Sequence, residues 1–224
     1  MTLRAENISK RYFRKTGQAN FFEAVAETSL TLTPGAVTVL THRSGSGKAT
    51  LLHMLSGLLA PSEGKVFLDE TDLYALPDDK LSRLRNEKIA VVPQGRSAVS
   101  TLTALENILL PARLYRRPVR AEAAIAWMEA LGIAGLQNAA PAELSGGELR
   151  RMAIARALHQ DAPLLLADEP TGDLDDENTA RVLAILRDAA HRDGKTVLLV
   201  SHEPDAARYA DRLLTLDAGR LTEG

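Results

Sequence analysis

Lys48 closes the run Ser44-Gly45-Ser46-Gly47-Lys48, whose residue types suit it to hold phosphate. Glycines 45 and 47 let the backbone bend so that successive N–H groups face one anion, and the lysine adds a full charge at the β and γ phosphates. A helix expected from Lys48 to about Leu58 turns its positive end to the same anion. The full pattern G-x-x-x-x-G-K-[ST] asks for glycine where His42 stands and a hydroxyl where Ala49 stands. Thr50 cannot replace that hydroxyl, because neighbours on a helix point to different sides. A plain glycine-serine turn is the competing reading, weakened by the apolar strand expected at Ala36 to Leu40.

Two further runs carry chemistry. Leu164 to Ala167 reads as a buried strand ending in adjacent carboxylates, Asp168 and Glu169. Asp168 is placed to hold Mg²⁺, directly or through water, and Glu169 to polarise an attacking water. Leu144-Ser145-Gly146-Gly147-Glu148 opens a helix expected from Leu149 to Leu158, and bare amides there offer a second anion site. A capping serine with flexible glycines is the plainer alternative. If a helical insert carries the second site away from the first, one nucleotide cannot use both within one chain. A head-to-tail pair of chains removes that conflict.

The elements that must position these residues follow from the apolar pattern. Ile89 to Val92, Leu164 to Ala167 and Val197 to Val200 are short runs rich in Val, Leu and Ile, separated by helical patterns such as Glu177 to His191. That alternation predicts an α/β fold with a mainly parallel sheet, and ligand at the carboxyl ends of its strands. Leu3 to Leu32 and Gly64 to Leu68 read as antiparallel strands, with turns at Thr16-Gly17 and Pro34-Gly35. Thr103 to Ala157 shows no strand pattern and reads as a helical subdomain inserted into the core. Trp127 falls on the apolar face of Ala121 to Leu131 and is expected in the core.

Composition narrows the class. The chain has 224 residues, 45% hydrophobic and 25% charged, which suits one globular domain with an inserted subdomain. A formal net charge of -2 argues against a surface built to hold nucleic acid. There are no cysteines, so disulfides and thiolate metal sites are excluded. Met1 to Lys15 is polar and basic and does not read as a secretory signal. The most apolar stretch, Leu51 to Ala60, is too short to span a bilayer and is broken by His53, Ser56 and Gly57. Any membrane part must come from another chain.

Taken in order, Ser44 to Lys48, Leu144 to Glu148, Leu164 to Pro170 and the Ser201-His202 pair resemble an ATP-binding-cassette (ABC) ATPase across essentially the whole chain. The resemblance implies a P-loop (RecA-like), mainly parallel core at 1–94 and 158–224, carrying an antiparallel β subdomain. Residues 95–157 would form the helical subdomain with the signature. ATP and Mg²⁺ are the implied ligands. In that family two cassettes sandwich two ATP molecules, so Ser145, Gly146 and Gly147 would meet nucleotide held by the partner's phosphate loop. Within that loop the resemblance carries Ser44, Gly45, Ser46, Gly47, Lys48, Ala49 and Thr50.

The same resemblance assigns Gln94 as the Q-loop glutamine that senses Mg²⁺ and water, and His202 as the switch histidine at the γ-phosphate. Asp175 matches the acid that crosses the dimer interface, and Tyr12 the aromatic that stacks on adenine. His53, His159 and His191 read as structural or surface. Ala167 to Asp175 and Leu102 to Asn107 are similar to the lipoprotein-release and macrolide-export branch, whose membrane subunits transmit force. A cytoplasmic chain, peripheral on the inner face of the membrane and bound to integral subunits, is implied. No regulatory tail is expected beyond Gly224.

His42 and Ala49 bear on rate. Loss of one contact to a charged partner costs about 1.5–3 kcal/mol, roughly 10- to 100-fold in metal affinity or turnover. Water can fill the vacant Mg²⁺ position. If residue 42 needs a glycine-like backbone, histidine adds strain of order 1–3 kcal/mol. With Glu169, His202, Gln94 and the signature intact, the expectation is ATP hydrolysis at a reduced rate. A non-hydrolysing switch of a membrane partner is the alternative. A role on nucleic acid or the ribosome is disfavoured by the single cassette and the slightly acidic charge.

Overall fold

The computed structural model of the chain describes residues 1–13, 21–42, 46–95 and 97–223, with His42 described in its main chain. The strands are β1 (Leu3–Phe13), β2 (Phe21–Leu32), β3 (Val37–His42), β4 (Glu63–Leu68), β5 (Thr71–Asp72), β6 (Ile89–Val92), β7 (Leu164–Asp168), β8 (Thr196–Val200), β9 (Arg212–Asp217) and β10 (Arg220–Glu223). The helices are α1 (Lys48–Leu55), α2 (Asp78–Lys88), α3 (Ala104–Leu114), α4 (Ala121–Ala130), α5 (Gly146–His159) and α6 (Asp176–His191). Among the described residues no helix is long and apolar enough to cross a membrane.

Two sheets form. The larger runs β10-β9-β3-β8-β7-β6, parallel throughout except for the β9–β10 hairpin. The smaller, β2-β1-β4-β5, is antiparallel. This is the mixed α/β architecture expected from the alternation of apolar runs and helical patterns.

The central strands read as unbroken apolar runs because both their faces are covered. Leu165 and Ala167 of β7, with Val197 and Leu199 of β8, pack on the side of α3, α4, α5 and α6. Leu164, Leu166, Leu198 and Val200 face the opposite core, with α1 and the antiparallel sheet. Helix α1, which follows the phosphate loop, buries Leu51, Leu52, Met54 and Leu55 in that second core. Trp127 is half-buried against the first core, so its packing is partial.

Local chemistry sets the helix starts. Thr103 caps α3 and Ser145 caps α5, each in a reciprocal box with the glutamate three residues on. Asp175 caps α6 by accepting from the Asn178 amide. Because Ser145 is the cap, α5 opens at Gly146, three residues before the expected Leu149 start. Helix α1 stops at Leu55, short of the expected Leu58, with Gly57 at φ 73° just past its end.

Strand β3 runs two residues past Leu40, since Thr41 and His42 pair with Thr215 and Leu216 of β9. His42 therefore sits in extended backbone that any residue adopts, and the left-handed strain considered for it does not arise. The turn at Pro34-Gly35 leads β2 out of the antiparallel sheet and into β3. The turn expected at Thr16-Gly17 lies outside the described residues.

Candidate nucleotide site

The phosphate loop joins β3 to α1. Gly47 caps α1 in the left-handed conformation at φ 93°, and a Cβ there would lie 2.0 Å from the Ala24 carbonyl oxygen. Glycine is therefore required twice, for its φ and for the approach of β2. On the other side the Ser46 carbonyl accepts from the Gly219 amide at 3.0 Å, while the Gly219 carbonyl accepts from Ala26 at 2.8 Å. The loop is thus braced by β2 and by the β9–β10 turn. Ser44 and Gly45, both expected to hold phosphate, lie outside the described residues.

Lys48 begins α1 and points at the carboxyl end of β7. Its Nζ lies 3.2 Å from Glu169 Oε1 and 3.6 Å from Asp168 Oδ1. Both carboxylates are buried, at 5% and 4% exposure for Asp168 and Glu169. His202, two residues past β8, brings Nδ1 to 2.9 Å from the same Glu169 oxygen. A carboxylate only accepts, so Nδ1 carries the proton in this contact. Lysine, carboxylate pair and histidine thus converge from three different strand ends, at the edge where ligand was expected.

Glu169 is held there by its own backbone. Its φ is 51°, a left-handed value, and its amide donates to the Val200 carbonyl at 2.8 Å. A turn follows in which the Gly172 amide donates to the Glu169 carbonyl at 3.2 Å. Pro170 occupies the turn position that its fixed φ favours. Strained backbone of this kind persists only where surrounding structure over-determines it.

Beside this cluster is a cavity of about 240 Å³ lined by Ala49, His53, Gln94 and Asp168, with apolar walls from Leu52, Val91 and Pro93. Gln94 lies in the bend after β6 and is exposed. The cavity brings together the missing-hydroxyl position, the glutamine and the metal-binding candidate. A carboxylate and an amide oxygen form a hard donor set that suits Mg²⁺. His53, read as structural or surface, also lines this cavity. Thr50, by contrast, lies half-buried one position around α1.

Ser145, Gly146 and Gly147 open α5, beside the turn that follows Glu169. The Ser145 hydroxyl is engaged with Glu148 Oε2 at 2.7 Å. Hydrogen bonds from the Ser145 side chain and backbone hold the Glu148 carboxyl below its usual range. A Cβ on Gly147 would lie 3.2 Å from both the Asp173 carbonyl oxygen and Leu174 Cδ2. Glycine there lets α5 meet the turn that follows Glu169. Asp175 is fully engaged as the α6 cap, and its carboxyl is lowered by the Asn178 amide and side chain. Tyr12 lies on β1 with its ring 5.7 Å from Lys10 Nζ.

Ties between helices and the site went unseen in the sequence. Arg150 donates to the Pro93 carbonyl at 2.9 Å, and Arg156 to the Ser97 carbonyl and hydroxyl at 2.9 and 2.6 Å. They join α5 to the segment on either side of Gln94, at Pro93 and Ser97. Burial holds the Arg156 guanidinium below its usual range. The arginines on an otherwise apolar α5 were a usable signal, since a buried cation needs partners.

Residues 25–172 match the ABC transporter family. The chain belongs to that family. As an ABC transporter ATP-binding cassette it is 36% identical over 225 residues to an uncharacterized ABC transporter ATP-binding protein, MJ0796, of Methanocaldococcus jannaschii, covering 98% of this chain and 94% of that one. It is 38% identical to the lipoprotein-releasing system ATP-binding protein LolD of Aquifex aeolicus, covering 98% and 95%. The macrolide export ATP-binding/permease protein MacB of Chlorobaculum tepidum is 37% identical over 97% of this chain, which spans 33% of that relative's length.

Two solved structures of MJ0796 superpose with a TM-score of 0.91 at 33% identity, covering 99% of this chain and 98% of theirs. Both are dimeric, and one is a post-hydrolysis state bound to ADP and Pi. The ABC cassette fold and the nucleotide-binding family thus agree with the sequence reading.

Proposed function

We propose that this chain is the ATP-hydrolysing subunit of an ABC transporter, that two copies close around ATP, and that closure and reopening drive membrane partner subunits. The convergence of Lys48, Glu169 and His202 supports this reading most directly. Lys48 and the α1 amides hold the β and γ phosphates, with Ser44, Gly45, Ser46, Gly47 and Thr50 shaping the loop. Glu169 accepts the proton of the attacking water, and His202 contacts the γ-phosphate. Asp168 and Gln94 would hold Mg²⁺, which when bound neutralises charge developing on the transferred phosphoryl group.

Ser145, Gly146 and Gly147 serve the nucleotide in the partner's loop, in a head-to-tail dimer. Asp175 crosses that interface, and Tyr12 stacks on adenine. Residues 95–157 act as the helical, signature-bearing arm of a single cassette. The chain works at the cytoplasmic face of the membrane. Its likeness to lipoprotein-releasing and macrolide export proteins favours partners that transmit force.

Hydrolysis is slowed by His42 and Ala49, of which Ala49 leaves Mg²⁺ one protein ligand short. The test is MgATP hydrolysis by the purified chain, with Glu169→Gln as blank. Ala49→Ser with His42→Gly should raise turnover about 10- to 100-fold. An unchanged rate sinks the claim of impairment. Turnover no greater than the blank favours the alternative, a nucleotide switch that regulates its partner by binding alone.

A further inference from the structure

The turn after Glu169 and the loop carrying His202 are joined by a hydrogen bond that neither motif contains. The Thr171 hydroxyl donates to Glu203 Oε2 at 2.6 Å. Thr171 is fully buried. The Glu203 amide donates to the Ser201 hydroxyl at 3.1 Å, and the Ser201 amide donates to the Leu40 carbonyl at 3.1 Å. A short network therefore runs from the turn below the general base, through the residue after His202, to the strand that feeds the phosphate loop.

We infer that Thr171 and Glu203 are positioning residues that set the separation of Glu169 and His202. The inference rests on the hydrolytic reading above. Thr171 is two residues past Glu169, and Glu203 directly follows His202. The His202 side chain is 65% exposed, so its direction depends on the loop that carries it. Pro204 restricts Glu203 to extended backbone, at φ -80° and ψ 129°, which aims its side chain with little freedom. A hydroxyl bonded to a carboxylate is among the stronger neutral-to-charged contacts, and burial leaves the Thr171 hydroxyl dependent on it. Without it, the exposed imidazole of His202 keeps its contact with Glu169 Oε1 but loses the brace that fixes the loop carrying it, while the Glu169 amide bond to Val200 holds backbone alone.

The test uses the full chain with Thr171→Val, Thr171→Ser, Glu203→Gln and His202→Ala. Readouts are MgATP turnover and the ring signals of ¹³C,¹⁵N-labelled histidine. Thr171→Val should lower kcat about tenfold with KM within about twofold, since small misplacement of catalytic groups is costly. Thr171→Ser should restore it. In the His202→Ala background Thr171→Val should add nothing further, because both act through one contact. The His202 ring signals should move toward those of free histidine in Thr171→Val.

Multiplicative losses from Thr171→Val and His202→Ala, or unmoved ring signals, overturn the inference. Should Thr171→Val fail to fold, Glu203→Gln decides. It keeps an acceptor but loses the charge, and should shift the His202 ring signals in the same direction with a smaller loss of kcat. No shift there overturns the inference. A wild-type chain that hydrolyses no ATP defeats the hydrolytic reading, and the ring signals then report on the brace alone.

Discussion

Glu169 Oε1 lies 2.9 Å from His202 Nδ1 and 3.2 Å from Lys48 Nζ, so one oxygen joins the ends of three strands. Replacing Glu169 by Gln keeps the shape and an acceptor but removes the base. Hydrolysis should fall at least about 100-fold, within the range general-base loss usually costs. Binding of a fluorescent ATP analogue, measured by titration, should stay within a few-fold of wild type. A variant that still turns over ATP at the wild-type rate would place the base elsewhere.

Gly47 has no room for a side chain. In Gly47→Ala the new methyl meets the Ala24 carbonyl, so β2 or the loop must move. We expect a loss of about 2–4 kcal/mol in urea unfolding and no measurable binding of the ATP analogue. Gly95→Ala is the contrasting control. It also stands at positive φ, 83°, but its Cβ would meet nothing within 4 Å, so its cost should be smaller.

Acid should weaken the cap of α5. The folded Glu148 carboxyl is held below its ordinary value of 4.5, first by the Ser145 hydroxyl and then by the Ser145 amide. Its contribution is present above that ordinary value and is lost as pH falls through the lowered folded one. Urea midpoints recorded from about pH 7 to pH 3 should therefore drop on the acid limb, and Glu148→Gln should flatten that drop. An identical acid limb in the variant would remove Glu148 from the account.

Asn107 is buried and holds the loop before α3 from four directions. Its Oδ1 accepts from the Val99 amide at 2.7 Å, and its Nδ2 reaches the carbonyls of Val99, Leu102 and Thr103 at 3.0–3.1 Å. Asn107→Leu, similar in volume, removes the acceptor of the Val99 amide and the side-chain donor to the three carbonyls, of which those of Val99 and Thr103 still accept from the Leu102 and Asn107 amides. Stability should fall by about 2–4 kcal/mol in thermal or urea unfolding, with Asn107→Asp falling between.

What could be read from the sequence was what lies close together along it. The phosphate loop, the Asp168-Glu169 pair and the Ser145 cap are continuous runs, each with its own local chemistry. Strands β7 and β8 were visible because both faces are buried, which leaves unbroken apolar runs. The reach of β3 through His42 was not visible, because its reason is pairing with β9, far along the chain. Thr171 with Glu203, Arg156 with Ser97 and Ser46 with Gly219 were hidden for the same cause. Each partner looks ordinary where it stands, and only the fold brings the two together. His53 was passed over because a histidine one turn down a helix gives no sign of which cavity it lines.

The contact between Ser46 and Gly219 also matters while the chain is being made. A ribosome releases the phosphate loop early and the β9–β10 turn late. Until that turn emerges, the loop lacks one of its two braces and β3 lacks a neighbour. A nascent chain therefore cannot complete its nucleotide site piecemeal, and ATP meets a finished loop only after nearly all of the cassette has left the exit tunnel.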